Sequence, residues 1–159
     1  MPTAAKVGAG YAALRMARIE AAARGADEPI LLNDRGTVAE TAGAAVFAVR
    51  RGTAHTPPVA DGILDSITRR IAIRLLAEDL GVPVVEQSLT RSDLLSADEV
   101  FLTGTLDEIR PVAAVDGVRL AGGDGPVAGA LQQRYSDMCY GLRPPLQQDW
   151  VHLLKNGDA

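Results

Sequence analysis

Four places in this chain combine residue types and surroundings that suit chemistry. Lys6 lies between Ala4-Ala5 and Val7-Gly8. A lysine with apolar neighbours loses the solvation of its ammonium and can become a nucleophile toward a carbonyl carbon. Taken locally, a solvated surface lysine is the plainer reading, because most lysines are exposed. Glu40 is followed by Thr41-Ala42-Gly43-Ala44-Ala45, a small-residue loop without a charge to balance the carboxylate. Taken locally, an ordinary carboxylate at a strand edge is the favoured reading. Ser66-Ile67-Thr68 stands where a helix begins, and the unpaired N–H groups and positive dipole end there attract an anion such as phosphate. Thr103-Gly104-Thr105 follows an apolar run and offers two hydroxyls and a glycine as a second anion cradle. Each motif alone is common capping or turn chemistry; two in one small domain point more firmly to a phosphate.

Other candidates carry less. Gly8-Ala9-Gly10-Tyr11-Ala12-Ala13 has the spacing of a dinucleotide fingerprint with Ala in the last place. That motif needs a buried strand immediately before it, and Met1 to Val7 contain Pro2 and Lys6, so the reading fails. His55 has no acid or nucleophile tied to it by the pattern and reads as structural. Asp61 and Asp65 flank Gly62-Ile63-Leu64 and read as solvated loop acids rather than a working carboxylate pair. Cys139, inside a helical pattern, reads as a buried or half-buried thiol without a role.

Composition bounds the possibilities. The 159 residues are 47% hydrophobic and 23% charged, which suits one domain able to bury its own core. Two Phe, one Trp and three Tyr leave few platforms for stacking bases, and a net charge of −4 has the wrong sign for general attraction to nucleic acid or anionic lipid. One cysteine and two histidines provide no zinc-ligand spacing and no internal disulfide. No apolar run is long enough to span a bilayer, and the N-terminus lacks the pattern of a signal peptide. The expectation is a cytoplasmic protein that binds neither membrane nor nucleic acid.

The elements that must position these residues follow from local pattern. Tyr11 to Arg24 is a run of good helix formers stopped by Gly25. Ile30-Leu31-Leu32 and Thr37 to Glu40 flank the turn Asn33-Asp34-Arg35-Gly36. Ala45 to Arg50 and Thr53 to Thr56 flank Arg51-Gly52, with Pro57-Pro58 ending the ladder. Ile67 to Leu80 predicts one helix closed by Gly81. Val82 to Glu86 reads as an extended segment whose Pro83 marks an edge strand or a strand start, and Thr90 with Asp93 as a capping box on a short helix. Glu99 to Thr103 is a strand; Pro111 to Val115 and Val118 to Leu120 flank the Asp116-Gly117 turn; Pro126 opens the last helix. Hairpins mixed with helices, without strict alternation, predict an α+β fold.

In this order the motifs resemble the class IV aminotransferases, the fold-type IV pyridoxal-phosphate enzymes, and within them the branched-chain amino-acid branch. The resemblance runs from Pro2 to about Tyr140. It rests on Pro-Thr-Ala-Ala-Lys at 2–6 with Tyr11, on Val-Ala-Glu at 38–40 before the small-residue loop and Val46-Phe47, and on Thr56-Pro57-Pro58. It continues through Gly62-Ile63-Leu64, Ile67-Thr68-Arg69, Ala97 to Phe101, Gly104-Thr105 with Glu108-Ile109, Pro111-Val112 and Val115-Asp116-Gly117.

The resemblance implies a hairpin-rich pseudo-barrel sheet with flanking helices over residues 1–141, a tail over 142–159, and pyridoxal 5′-phosphate as cofactor. Lys6 would be the aldimine-forming lysine that also shuttles the Cα proton. Glu40 would face the pyridine nitrogen, Tyr11 the phenolic oxygen and Leu64 the ring. Ile67, Thr68 and Thr105 would hold the phosphate, and the turn Gly104 to Leu106 would meet the substrate carboxylate. The implied activity is transamination between a branched-chain amino acid and a 2-oxo acid such as 2-oxoglutarate. The alternatives are a lyase of the aminodeoxychorismate type or an amine transaminase on the same fold, and a non-catalytic assembly module. The family's usual Asn is replaced by Ala45, Ala44 stands where an acid is frequent, Gly10 where Asn is frequent, and Asp65-Ser66 replaces a common Pro-Gly. The family's N-terminal domain has no counterpart here, so the expectation is a homodimer or a partner chain that supplies it.

Overall fold

The structure is a computed structural model that describes residues 8–122 and 125–151. It is an α+β fold, as the mixed pattern predicts. A seven-stranded open sheet carries helices against it, and a two-stranded hairpin completes the strands. Helix α1 (Gly8–Ala23) leads into β1 (Ile30–Leu32) and β2 (Val38–Thr41), then β3 (Ala45–Arg50) and β4 (Thr53–Thr56). Helix α2 (Ile67–Arg74), β5 (Val84–Glu86), the short α3 (Arg91–Leu95), β6 (Glu99–Gly104) and β7 (Glu108–Pro111) follow. The small hairpin β8 (Ala114–Val115) and β9 (Val118–Arg119) precedes helix α4 (Pro126–Cys139).

Strand β3 is the spine. It pairs antiparallel with β6 along its length, with β4 at its far end and with β2 through Glu40↔Ala45. Edge strand β5 joins β4 in parallel, as expected for a segment containing Pro83. Period-two alternation gives the sheet two apolar faces. Ala45, Phe47, Val49, Phe101 and Ile109 pack on one face with residues of α2 and α4, including Ile71, Ala72, Ala128 and Leu131. Val46, Ala48, Val100 and Leu102 pack on the other with Leu89, Leu94 and Val38. Phe47 and Phe101, directly opposed in register, stack with ring centroids 4.9 Å apart and planes 7° from parallel.

Three local devices fix the geometry. The Thr90 hydroxyl accepts from the Asp93 amide while Asp93 accepts from the Thr90 amide, completing the capping box of α3. Arg69, 2% exposed, donates to Thr56 Oγ1, to the Pro57 carbonyl and to Glu86, tying α2 to β4 and β5. Buried Glu99, on β6, accepts from the Val127 and Ala128 amides at 3.2 and 2.9 Å and so caps α4 from within the sheet. A Cβ at Gly125 would fall 1.9 Å from Glu99 Cδ, which is why glycine precedes Pro126.

Three sequence expectations change. The helix expected over Ile67 to Leu80 is α-helical only to Arg74; Leu75–Asp79 forms a π turn, with the Leu80 amide reaching back to the Leu75 carbonyl. The arm expected over Pro111 to Val115 is divided, because Glu108–Pro111 pairs with β6 as β7 and leaves two-residue arms on the Asp116-Gly117 turn. Cys139 is exposed on α4 rather than buried. Among the described residues, no helix is long and apolar enough to cross a membrane.

Candidate functional site

The site assembles at the end of the sheet where β2, β3 and β6 meet. Cross-strand partners point to the same side of a sheet, so the register Glu40↔Ala45↔Thr103 places these three side chains in one row on the face that carries α2 and α4. Beside that row the small-residue loop folds tightly. Thr41 Oγ1 accepts from the Gly43 and Ala44 amides, and the Thr41 amide donates to the Ala44 carbonyl. Gly104 lies directly against this loop: a Cβ there would stand 2.8 Å from the Gly43 carbonyl oxygen and 3.2 Å from Ala44 Cβ. The absence of a side chain at Gly104 and the small size of Gly43 and Ala44 are one packing requirement.

Glu40 is the titratable group of the row. The Leu64 amide donates to its Oε2 at 3.1 Å, and Oε1 accepts from nothing among the described residues. Burial pushes its carboxyl above the ordinary carboxylate value, and the Leu64 N–H pulls it partway back. It is thus a half-buried carboxylate with one oxygen fixed and one available, not a solvated edge acid.

The Leu64 contact links the row to the start of α2. The Ser66 amide donates to the Leu64 carbonyl at 2.8 Å, and the Ser66 hydroxyl caps α2 by accepting from the Arg69 amide. The amides of Ile67 and Thr68 then have no acceptor among the described residues, the state that makes a helix N-terminus bind anions. Thr68 is buried, and half-buried Tyr135 of α4 lies near it and near Cys139. Burial first, then Cys139, pushes the Tyr135 hydroxyl above its ordinary value. Directly after Thr103 and Gly104, Thr105 and Leu106 are exposed in the β6–β7 turn, and their amides also lack acceptors among the described residues. Asp61, expected to be solvated, is 3% exposed: its carboxylate pairs with Arg35, and its carbonyl accepts from Asn33. These bonds pin the β1–β2 turn to the loop that delivers Leu64.

The structure therefore brings Glu40, Leu64, Ile67, Thr68, Gly104, Thr105 and Leu106 to one end of the sheet. Tyr11 is 45% exposed on α1 with no hydrogen bond to any of them. Lys6 lies outside the described residues. Sequence reasoning missed the Leu64 amide as the partner of Glu40, because a backbone donor leaves no mark on residue type, and it missed Tyr135, which the sequence shows only as an apolar position of α4. Among the described residues no cluster of three or more His, Cys, Asp or Glu could hold a metal ion.

Comparison with known proteins gives the family of the chain. The model of the class IV amino-transferase family matches residues 2–115, and the chain belongs to that family. Within it, the similarity is to branched-chain enzymes. The chain is 43% identical over 136 residues to a probable branched-chain-amino-acid aminotransferase of Aquifex aeolicus, a match that covers 85% of this chain and 44% of that protein. The crystal structure of branched-chain amino acid aminotransferase from Thermobaculum terrenum in its PLP-form superposes with a TM-score of 0.91 at 39% identity, covering 94% of this chain and 49% of that one. The branched-chain aminotransferase of the archaeon Thermoproteus uzoniensis, solved with norvaline, gives a TM-score of 0.83 at 44% identity over 87% of this chain and 46% of that one. The chain spans about half the length of the relatives it matches.

Proposed function

We propose that this chain carries the cofactor-binding half, residues 1–141, of a pyridoxal-phosphate-dependent aminotransferase that exchanges the amino group of a branched-chain amino acid with a 2-oxo acid such as 2-oxoglutarate. The single observation that supports it most is the half-buried Glu40 carboxylate, with one oxygen held by Leu64 and, among the described residues, one oxygen and the amide pairs at 67–68 and 105–106 without partners. That donor set fits the cofactor: a carboxylate raised by burial suits a cationic ring N–H, and free amides at a helix start suit a phosphate.

When bound, the cofactor supplies an electron sink for the carbanion formed at the substrate's Cα. Glu40 keeps a proton on the ring nitrogen by offering its free oxygen as acceptor, and the opposite charge offsets the cost of its own burial. The Ile67 and Thr68 amides and Thr105 would hold the phosphate, Leu64 would cover the ring face, and Tyr11 would meet the phenolic oxygen. The Thr105 and Leu106 amides orient the substrate carboxylate, which fixes the Cα–H bond relative to the base. Lys6 would be that base, its amine anchoring the cofactor and moving the proton at the substrate's Cα. A second copy of the chain or a partner chain completes the substrate pocket.

The test is to add pyridoxal 5′-phosphate to the full chain and follow the visible absorbance band of a lysine-bound cofactor, then supply leucine, isoleucine or valine with 2-oxoglutarate and assay glutamate. The band is expected in the wild type and absent in Lys6→Ala. A band that persists unchanged in Lys6→Ala removes Lys6 from the reading, and pyruvate released from added aminodeoxychorismate, with no glutamate formed from the branched-chain amino acids, would assign lyase chemistry.

A further inference from the structure

Helix α1 begins two residues after Lys6, and apolar packing holds it only loosely. None of its described residues is buried: Leu14, Ala17 and Ala21, at helical spacing, are half-buried, while Met16 and Ile19 are exposed. Its fixed connection is polar. Arg18 Nη2 donates to Glu28 Oε1 at 3.4 Å, and among the described residues this is the only side-chain hydrogen bond or ion pair between α1 and the rest of the chain.

Glu28 also serves the small-residue loop. Its Oε1 accepts from the Ala42 amide at 3.1 Å, and its side chain is only 14% exposed. The amides of Thr41, Gly43 and Ala44 find acceptors within the loop, so Ala42 is the one amide of the turn that depends on an outside partner. Ala42 is buried, and without Glu28 its N–H would have neither an acceptor nor water. Arg18 lies over the same turn: a Cβ at Gly43 would stand 3.3 Å from its Nη2. Glu40 immediately precedes this turn, and Gly104 packs against it.

We propose that Glu28, backed by Arg18, is a positioning residue that ties the helix following Lys6 to the loop following Glu40 and so sets the separation of those two groups. The proposal rests on the reading of Lys6 and Glu40 given above. Those groups address the ring nitrogen and the carbon across the ring from it, so a misplacement of about 1 Å takes one out of reach whenever the other is engaged. Glu28 touches neither of them in the structure and acts through the backbone of the turn.

The test compares Glu28→Ala, which removes the acceptor, with Glu28→Gln, which keeps a side-chain oxygen for the Ala42 amide. In the unloaded chain, carboxylate NMR follows Glu40 and hydrogen exchange follows the Ala42 amide. Burial holds the Glu40 carboxyl above 4.5, so a loosened loop admits water and lets its titration fall toward 4.5 in Glu28→Ala, with recovery in Glu28→Gln. Pyridoxal 5′-phosphate affinity is expected to follow the same order, about tenfold weaker in Glu28→Ala and restored in Glu28→Gln. If Glu28→Ala does not fold, Glu28→Asp, one methylene short of the Ala42 amide, gives the same readouts. Arg18→Met isolates the tie to α1: the Ala42 amide stays protected while cofactor affinity falls, and affinity equal to wild type overturns that half of the proposal. A wild-type chain that takes up no cofactor overturns the functional reading and the proposal with it. Normal uptake by the wild type, with the Glu40 titration unmoved in Glu28→Ala or with Glu28→Gln as impaired as Glu28→Ala, overturns the proposal alone.

Discussion

The Leu64 amide and the Glu40 carboxylate are joined by a 3.1 Å hydrogen bond that fastens a loop to a strand and, among the described residues, leaves Glu40 with one unbonded oxygen. Burial raises the Glu40 pKa above 4.5, so the fold favours its protonated form. The contribution of Glu40 to stability is therefore fully present below pH 4.5 and is lost as pH rises through the raised value. Glu40→Gln should stabilise the unloaded chain near pH 7, with the difference from wild type shrinking as the pH is lowered toward about 4. Thermal melts at the two pH values check this. The same variant should bind pyridoxal 5′-phosphate about ten- to a hundredfold more weakly, the loss expected for one charge-assisted hydrogen bond.

Gly104→Ala tests the closeness of the β6–β7 turn to the small-residue loop. The added methyl meets the backbone oxygen of Gly43 at 2.8 Å, and neither side can yield by rotating a side chain. A loss of about 1–3 kcal/mol is expected in denaturant unfolding. If the loop moves instead, the change appears as weaker cofactor binding at unaltered stability.

Arg69 and Glu86 should respond unequally although they form one ion pair. Arg69 is buried and makes two further hydrogen bonds, whereas the Glu86 side chain is 50% exposed. Arg69→Met should cost about 2–4 kcal/mol by leaving Thr56, Pro57 and Glu86 without their donor. Glu86→Gln should cost less than about 1 kcal/mol. Paired urea titrations measure both.

Asp93 gives a pH dependence of the opposite sign to that of Glu40. The Thr90 hydroxyl, then the Thr90 amide, hold its carboxyl below the ordinary value of 3.8. Its contribution to stability is present above pH 3.8 and disappears as pH falls through the lowered value. Thr90→Ala should remove the cap of α3, at about 1 kcal/mol, and move the Asp93 titration upward toward 3.8. Carboxylate NMR titration of the two proteins checks the direction.

The parts of the fold that the sequence makes legible are those governed by neighbouring residues. The turn at Arg51-Gly52, the Thr90 and Asp93 box, and Pro126 at the start of α4 are local devices, and each stands where the pattern places it. The π turn after Arg74 was not legible, since its backbone shift follows from packing rather than from residue type. Strand β7 was obscured because Glu108–Pro111 takes its partner from β6, and only that pairing separates it from the Asp116-Gly117 hairpin. At the site, Glu40, Thr68 and Gly104 were visible as chemistry-bearing types. Their convergence was not, because it depends on the register Glu40↔Ala45↔Thr103 and on a backbone amide, neither of which is encoded by spacing along one segment.

Glu99 reaching from β6 to the Val127 and Ala128 amides has a consequence for how the molecule opens. Ends of helices ordinarily fray, and their first amides exchange with solvent on their own. Here the first turn of α4 is held by a side chain rooted in the most enclosed strand of the sheet, so those two amides are released only when β6 itself separates from β3. In hydrogen exchange they would behave as reporters of global unfolding at a position where local breathing is the rule, and α4 would join the folded chain only after the central strands have paired.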